Sequence, residues 1–303
     1  MNVGVIGAGV MGKNHVRVYS ELKQASTVYV YDVNNEAAKV VALANEAIPC
    51  STIDDLLKNV DAVSICVPTP YHYQVGQRVL DSGIHVLMEK PICATEKEGE
   101  SLLGYRKKGT IMGVGHIERF NPIVQEIRRI VQKPLFIEMN RHNPASARAT
   151  TSSVIEDLMI HDIDILHNVL IQNDLEVSAA GNLDAASALF RFEDVSAFIS
   201  ASRKSSKKIR RIYIEEEDLT VEGDFMNQEV YTYYKPDKYK VENERYVQEN
   251  IIEKVMVNKV EPLKVELQTF LECVRHDRPF PVTPEQAIQN LRVCERVRAS
   301  IQR

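Results

Sequence analysis

A glycine triplet, Gly7-x-Gly9-x-x-Gly12, follows directly on the apolar run "NVGVI" and opens a helix-like segment. No other feature constrains the fold as much. Gly7 allows a tight turn, Gly9 leaves the backbone bare for close approach, and Gly12 lets the helix pack on the strand. Alone, such a triplet is a weak signal. Its surroundings strengthen it. Val/Ile-rich runs recur at "TVYVY", "AVSICV", "IHVLME" and "TIMGVG". Continuous apolar runs are what parallel strands covered on both faces require. Helix starts lie between them: Ser51 and Thr52 before "IDDLLKN", Thr69-Pro70 ahead of "YHYQVGQRVLDSG" with Gly83 at its exit, and the capping box Thr95-x-x-Glu98. This alternation over residues 1–118 predicts β-α-β units and a doubly wound parallel sheet of the Rossmann type.

Beyond residue 118 the pattern changes. Helical periodicity at "IVQEIRRIVQ" and "DLMIHDIDIL" gives way to strand-like runs near 176–181, 186–193, 195–203, 209–216 and 218–222. No helices alternate with these strands, so a mainly antiparallel, open sheet is predicted. Two helices close the chain, "PLKVELQTFLECVRH" and "PEQAIQNLRVCERVRASI", the second opened by Thr283-Pro284-Glu285-Gln286. The expected organisation is α/β: a nucleotide-binding domain over 1–118 and a substrate-binding and oligomerisation domain over 119–303.

Composition narrows the function. The 303 residues are 44% apolar and 26% charged, with a net charge of −5. A mildly acidic chain without a basic tract is not drawn to polyanions, which argues against a nucleic-acid partner. No apolar run approaches a membrane span, so no membrane partner is expected. "NVGVIG" begins directly after Met1, which is unlike a secretory signal. Five scattered cysteines form no C-x-x-C pair and suit a reducing, cytoplasmic setting. The basic stretch "RKSSKKIRR" and the acidic "EEED" read as opposed charges on neighbouring strands.

The glycine loop points to a dinucleotide. Its pyrophosphate would meet the first-turn amides of Val10, Met11 and Gly12 at a helix N-terminus. Asp32 ends the second strand, 20 residues past Gly12, at the spacing for a carboxylate that accepts from ribose hydroxyls. It would repel a 2′-phosphate, and Asn34 and Asn35 add no positive charge, so NAD is favoured over NADP. Pro68, Thr69 and His72 follow the third strand and would shape the wall of the crevice; His72 equally fits a locally satisfied helix residue. Glu89-Lys90-Pro91 ends the fourth strand, placing Lys90 where it can hydrogen-bond a reacting hydroxyl and stabilise an alkoxide.

In "DLMIHDIDIL", Asp157, His161 and Asp164 fall on one stripe of an otherwise apolar helix. Buried carboxylates and imidazoles are costly unless partnered. Neutral imidazole can accept a hydroxyl proton near neutral pH, and Asp157 sits one turn before it. A divalent metal on this stripe is disfavoured by the nearby charge expected from Lys90, and hydride transfer needs none; no metal is expected. For Asp164 a cap or an arginine partner is the simpler reading.

The glycine motif, "TPYHY", "GIHVLMEKP" and Asp157-x-x-x-His161, in that order, resemble the glucose–fructose oxidoreductase/inositol dehydrogenase/MocA family over essentially the whole chain. The resemblance implies a Rossmann domain followed by an α/β domain whose open sheet assembles homodimers or homotetramers. It implies NAD(P)-dependent chemistry at a sugar or polyol carbon, with Lys90 and His161 on the reacting hydroxyl and Asp157 assisting or binding substrate. "ATTSSVIEDL" departs from the family in lacking glycines before the histidine helix. "VGHIERFNP" is similar to UDP-N-acetylglucosamine 3-dehydrogenases and related UDP-sugar enzymes, with Arg119 and Asn121 at substrate-facing positions. Arg141 and His142 end the first strand of the second domain and would reach the same substrate. Three functions remain open: a UDP-amino-sugar 3-dehydrogenase, a dehydrogenase of inositol or a free sugar, and a non-catalytic NAD-binding regulator.

Overall fold

The structure, a computed structural model, describes residues 1–144, 152–235, 239–242, 245–248 and 251–302. It divides into two compact units, Met1–Phe120 with Glu261–Arg292, and Asn121–Val260 with Val293–Arg303.

In the first unit the apolar runs form a parallel sheet. Its strands are β1 (Asn2–Ile6), β2 (Thr27–Tyr31), β3 (Ile48–Pro49), β4 (Ala62–Ile65), β5 (His85–Glu89) and β6 (Met112–Gly115). They lie in the order β3-β2-β1-β4-β5-β6, the doubly wound arrangement expected of alternating units. Five of the six were legible as Val/Ile runs; the two-residue edge β3 was not. Helices α1 (Val10–Glu21), α2 (Asn35–Ala44), α3 (Ile53–Leu57), α4 (His72–Asp81) and α5 (Glu96–Leu103) connect them. The starts of α3 and α5 are those the sequence marks, whereas α4 begins at His72 without a side-chain cap, after a 3₁₀ turn at Thr69–Tyr71. Thr52 accepts from the Asp55 amide and Thr95 from the Glu98 amide, while Asn34 accepts from Glu36 and Ala37. Val3, Val5, Ile65, Val86 and Met88 are buried in the core.

The second unit begins with α6 (Pro122–Ile130), capped by Asn121, and β7 (Phe136–His142). A helical segment follows with wide turns at both ends: π-helical Ile155–Met159, α7 (Ile160–Ile165) and π-helical Leu166–Leu170. The remaining strands are β8 (Glu176–Gly181), β9 (Ala185–Arg191), β10 (Ser196–Ser202), β11 (Ile209–Glu215), β12 (Leu219–Asp224), β13 (Glu229–Tyr234), β14 (Tyr239–Glu242), β15 (Arg245–Gln248) and β16 (Ile251–Val255). Seven of them join β7 in one eight-stranded sheet in the order β16-β13-β12-β11-β7-β10-β9-β8, with β14 and β15 paired apart. Only β7 and β10 run parallel in it; its other pairings are antiparallel. Ile137, Met139, Ile199, Ile212 and Ile214 from the sheet and Ile155, Met159, Ile160 and Ile163 from the helix share one core. The basic and acidic runs do not face each other: Arg210, Arg211 and Glu215 share β11, where Arg211 stands opposite Asp224 and Glu215 opposite Thr220 of β12.

Two helices end the chain, α8 (Pro262–Arg275) and α9 (Pro284–Ile301). A single cut at 118/119 does not describe the units. Leu263, Leu267, Phe270 and Leu271 of α8 bury in the core of the parallel sheet, and the Phe270 and Phe280 rings meet edge to face at 5.9 Å. An apolar stripe shows that a helix packs, not on which sheet. No helix among the described residues is long and apolar enough to cross a membrane.

Candidate active site

The loop between β1 and α1 has the shape of a phosphate cradle. Gly7 adopts φ +102°, in the left-handed region. A Cβ at Gly12 would lie 1.7 Å from the Gly7 carbonyl oxygen, so only glycine lets α1 start here. Gly9 differs: a Cβ there would meet nothing within 4 Å, and its φ of −69° suits any residue. Nothing inside the chain asks for glycine at 9. Gly9 caps α1 without a side-chain hydrogen bond, leaving the amides of Val10, Met11 and Gly12 at a helix N-terminus to meet an anion. Asp32 stands beside this loop. Its Oδ2 accepts the Ala8 amide at 2.6 Å and its Oδ1 the Asn34 amide at 2.8 Å. These residues fit a dinucleotide.

The ends of β4 and β5 carry the next group. Pro68 is exposed and Thr69 half-buried, in the 3₁₀ turn region that precedes α4. His72 is not on this surface. It is buried, its Nδ1 2.8 Å from the Pro91 carbonyl and its Nε2 2.8 Å from that of Val67. It thus braces the two strand ends against each other. Burial lowers its pKa, more than the surrounding carbonyls and the Glu89 charge raise it. Glu89 is also buried, with Oε1 2.9 Å from His15 Nε2 and Oε2 accepting the Lys90 amide at 3.2 Å. Lys90 itself is half-buried, and its bond to Pro91 is cis. Arg119 lies in the 3₁₀ turn Ile117–Phe120, where Nη2 donates to Gln286 at 3.3 Å.

In the second unit, Asp157 and His161 lie one turn apart and are both partly exposed, on a helix whose other positions are mostly buried. The third stripe member, Asp164, is buried and accepts from Asn168 Nδ2 at 3.1 Å. Asp162 lies off that stripe. That residue is buried and paired with Arg141, whose guanidinium also sits 5.4 Å from the Phe225 ring centre. Arg141 is 1% exposed, so it is presented to Asp162 and not to a surface. Asn121 is buried too: Oδ1 caps α6 and Nδ2 donates to the Phe225 carbonyl at 3.0 Å. His142 Nε2 lies 2.9 Å from Ser200 Oγ. Residues 149–151 of the "ATTSSVIEDL" stretch lie outside the described residues.

Three residues escaped the sequence reading: Asp162, His15 and Glu266. Glu266 left a signal, since it falls at helical spacing between Leu263 and Phe270 on a buried stripe.

The chain is similar to known proteins. Residues 1–116 match the oxidoreductase family described by its NAD-binding Rossmann fold, GFO_IDH_MocA. The chain is 31% identical over 293 residues to UDP-N-acetylglucosamine 3-dehydrogenase of Acidithiobacillus ferrooxidans, spanning 92% of this chain and 90% of that one. A crystal structure of that dehydrogenase superposes with a TM-score of 0.91 at 29% identity, covering 100% of this chain and 97% of that one. An inositol 2-dehydrogenase/D-chiro-inositol 3-dehydrogenase of Shouchella clausii is 32% identical over 186 residues, 56% of this chain and 53% of its own. The chain therefore belongs to the Gfo/Idh/MocA family and is a nicotinamide-dependent oxidoreductase acting on CH–OH groups.

Proposed function

We propose that the chain is an NAD-dependent dehydrogenase of a nucleotide-activated amino sugar such as UDP-N-acetylglucosamine, oxidising its C3 hydroxyl. The observation that carries this reading is the 31% identity, across 92% of the chain, to an enzyme named for that activity. Lys90 and the Asp157/His161 pair are all present in support. Bound NAD would supply the hydride acceptor. The glycine loop would hold its pyrophosphate and Asp32 its adenosine ribose; the Asp32 charge favours NAD over a 2′-phosphorylated dinucleotide.

In this reading the Lys90 ammonium donates to the substrate oxygen and stabilises the charge that develops as the proton leaves. His161 and Lys90 together take that proton, a contribution of about 10²–10⁴ in rate. Asp157 orients His161 or holds a neighbouring hydroxyl. Arg119, with its partly exposed guanidinium, is assigned to the substrate. Burial of Asn121 and Arg141 favours holding their own elements in place. The sheet face bearing Glu138, Asn140, Tyr213, Glu222 and Tyr231 is open to a second copy of the chain, in a homodimer or homotetramer.

Purified protein incubated with UDP-N-acetylglucosamine and NAD should yield a 3-keto sugar nucleotide by mass spectrometry. Turnover of inositol or a free sugar instead would move the assignment to the second reading, which rests on the 32% identity to an inositol dehydrogenase. Product must be measured directly, because a tightly held cofactor that recycles would hide from absorbance.

A further inference from the structure

Helix α1, the end of β5 and helix α8 bring three ionisable side chains together inside the first unit. His15 and Glu266 are 0% exposed and Glu89 is 7% exposed. One donor atom from each lies within 4.8 Å of the other two. Glu89 is well satisfied, by the His15 ring on one oxygen and the Lys90 amide on the other. Glu266 is not. Both its oxygens are buried without a hydrogen-bond partner among the described residues, as is Nδ1 of His15.

Two carboxylates this close in a dry interior do not both ionise. Glu89 holds the histidine and the amide, which favour its charged form. Glu266 arrives on an apolar helix face with no lysine or arginine paired to it among the described residues. The proton therefore belongs on Glu266.

We propose that Glu266 is a positioning residue acting as a neutral acid: uncharged, it stands beside Glu89 without repelling it, and Glu89 in turn ties His15 of the cofactor helix to the Lys90 backbone. The connection to catalysis rests on the reading of Lys90 given above; the protonation state does not. Burial, then the Glu89 charge, push the Glu266 carboxyl well above the ordinary range. Burial pushes Glu89 up as well, but the His15 hydrogen bond and the fields of His15, Lys90 and His72 outweigh it and lower it. Tyr19 and Cys66 are the other titratable groups whose fields meet Glu266, and burial keeps both protonated.

Infrared difference spectra between the wild type and Glu266→Gln test the proton directly. A protonated-carboxyl band at neutral pH, lost in the variant, supports the proposal; its absence overturns it. Thermal unfolding gives a second, substrate-free test. Above the ordinary carboxyl pKa of 4.5 the folded state keeps a proton that the unfolded chain releases. Wild-type stability must then fall relative to Glu266→Gln as pH rises, by roughly 2–4 °C per pH unit. A gap that does not change with pH overturns the proposal. So does a stoichiometric divalent ion in the purified wild type that is lost in Glu266→Gln, since the same trio would then be a metal site. For positioning, Glu266→Leu should lower kcat roughly tenfold with little change in KM for the dinucleotide, and Glu266→Gln should restore most of it. The wild type should also show an alkaline limb in kcat that Glu266→Gln lacks. Equal rates for Leu and Gln with an infrared band present would retain the neutral acid and overturn its positioning role. A failed UDP-sugar assay would leave the infrared, thermal and metal results standing.

Discussion

Arg141 grips Asp162 with two nitrogens inside the second unit: Nε lies 3.0 and 3.1 Å from the two carboxylate oxygens, and Nη2 lies 2.7 Å from Oδ1. Both side chains are almost fully buried. Removing one partner takes this bidentate contact from the other charge in a dry core. Arg141→Met and Asp162→Asn should therefore each cost about 3–5 kcal/mol in urea unfolding. The double replacement Arg141→Met/Asp162→Leu should recover a large part of that loss. Single-variant costs below about 1 kcal/mol would show the pair to be dispensable.

The two nearby glycines of the cofactor loop should fail in different ways. Gly12→Ala drives a methyl into the Gly7 carbonyl and should lower both thermal stability and dinucleotide affinity. Gly9→Ala has space and should leave unfolding unchanged while weakening NAD binding roughly tenfold, about 1.4 kcal/mol. Calorimetric titration with NADH beside a thermal melt separates the two. Unaltered NADH affinity in Gly9→Ala would remove the ligand from the explanation of that glycine.

Asp32→Asn keeps an acceptor for the Ala8 amide and removes the charge. The ratio of kcat/KM for NAD over NADP should fall by roughly tenfold or more, as repulsion of a 2′-phosphate disappears. A preference for NADP in the wild type would reverse the cofactor assignment.

Lys90→Met and His161→Ala should each lower kcat by about 10²–10⁴ with normal melting temperatures and intact NADH binding. Asp157→Asn should cost less, because it acts beside the reacting proton. A His161→Ala enzyme with wild-type turnover would exclude the histidine from proton transfer and favour the regulator reading.

Burial pushes the Cys93 thiol up to about 12, with Glu98 adding to the effect. At pH 8 its thiolate fraction is then on the order of 10⁻⁴, so the native protein should resist alkylation at this residue. Mass spectrometry after iodoacetamide treatment, native and denatured, reads this out. Rapid native labelling of Cys93 would contradict it.

Most of the first unit was legible because parallel strands buried on both faces write themselves as unbroken Val/Ile runs. Ile48–Pro49 carries no such mark, being two residues long and exposed. The helix around His161 was legible from its apolar faces, but its wide flanking turns were not, since ten residues cannot separate one helical period from another. The stripe holding Asp157 and His161 could be read as a surface line. The role of Asp162 could not, because its partner lies 21 residues away on a strand. Likewise, the burial of Glu89 on two sides depends on His15, 74 residues distant. Sequence shows which residues are chemically unusual; the partners that explain them arrive only with the fold.

Asp32 is held by two backbone amides before any nucleotide arrives. Its carboxylate has little rotational freedom left to surrender when a ribose docks, because folding has already removed it. The entropy normally lost on forming such a contact is thereby missing from the association step. On the proposed assignment of Asp32 to the ribose, such a pre-set anchor should slow departure of the coenzyme.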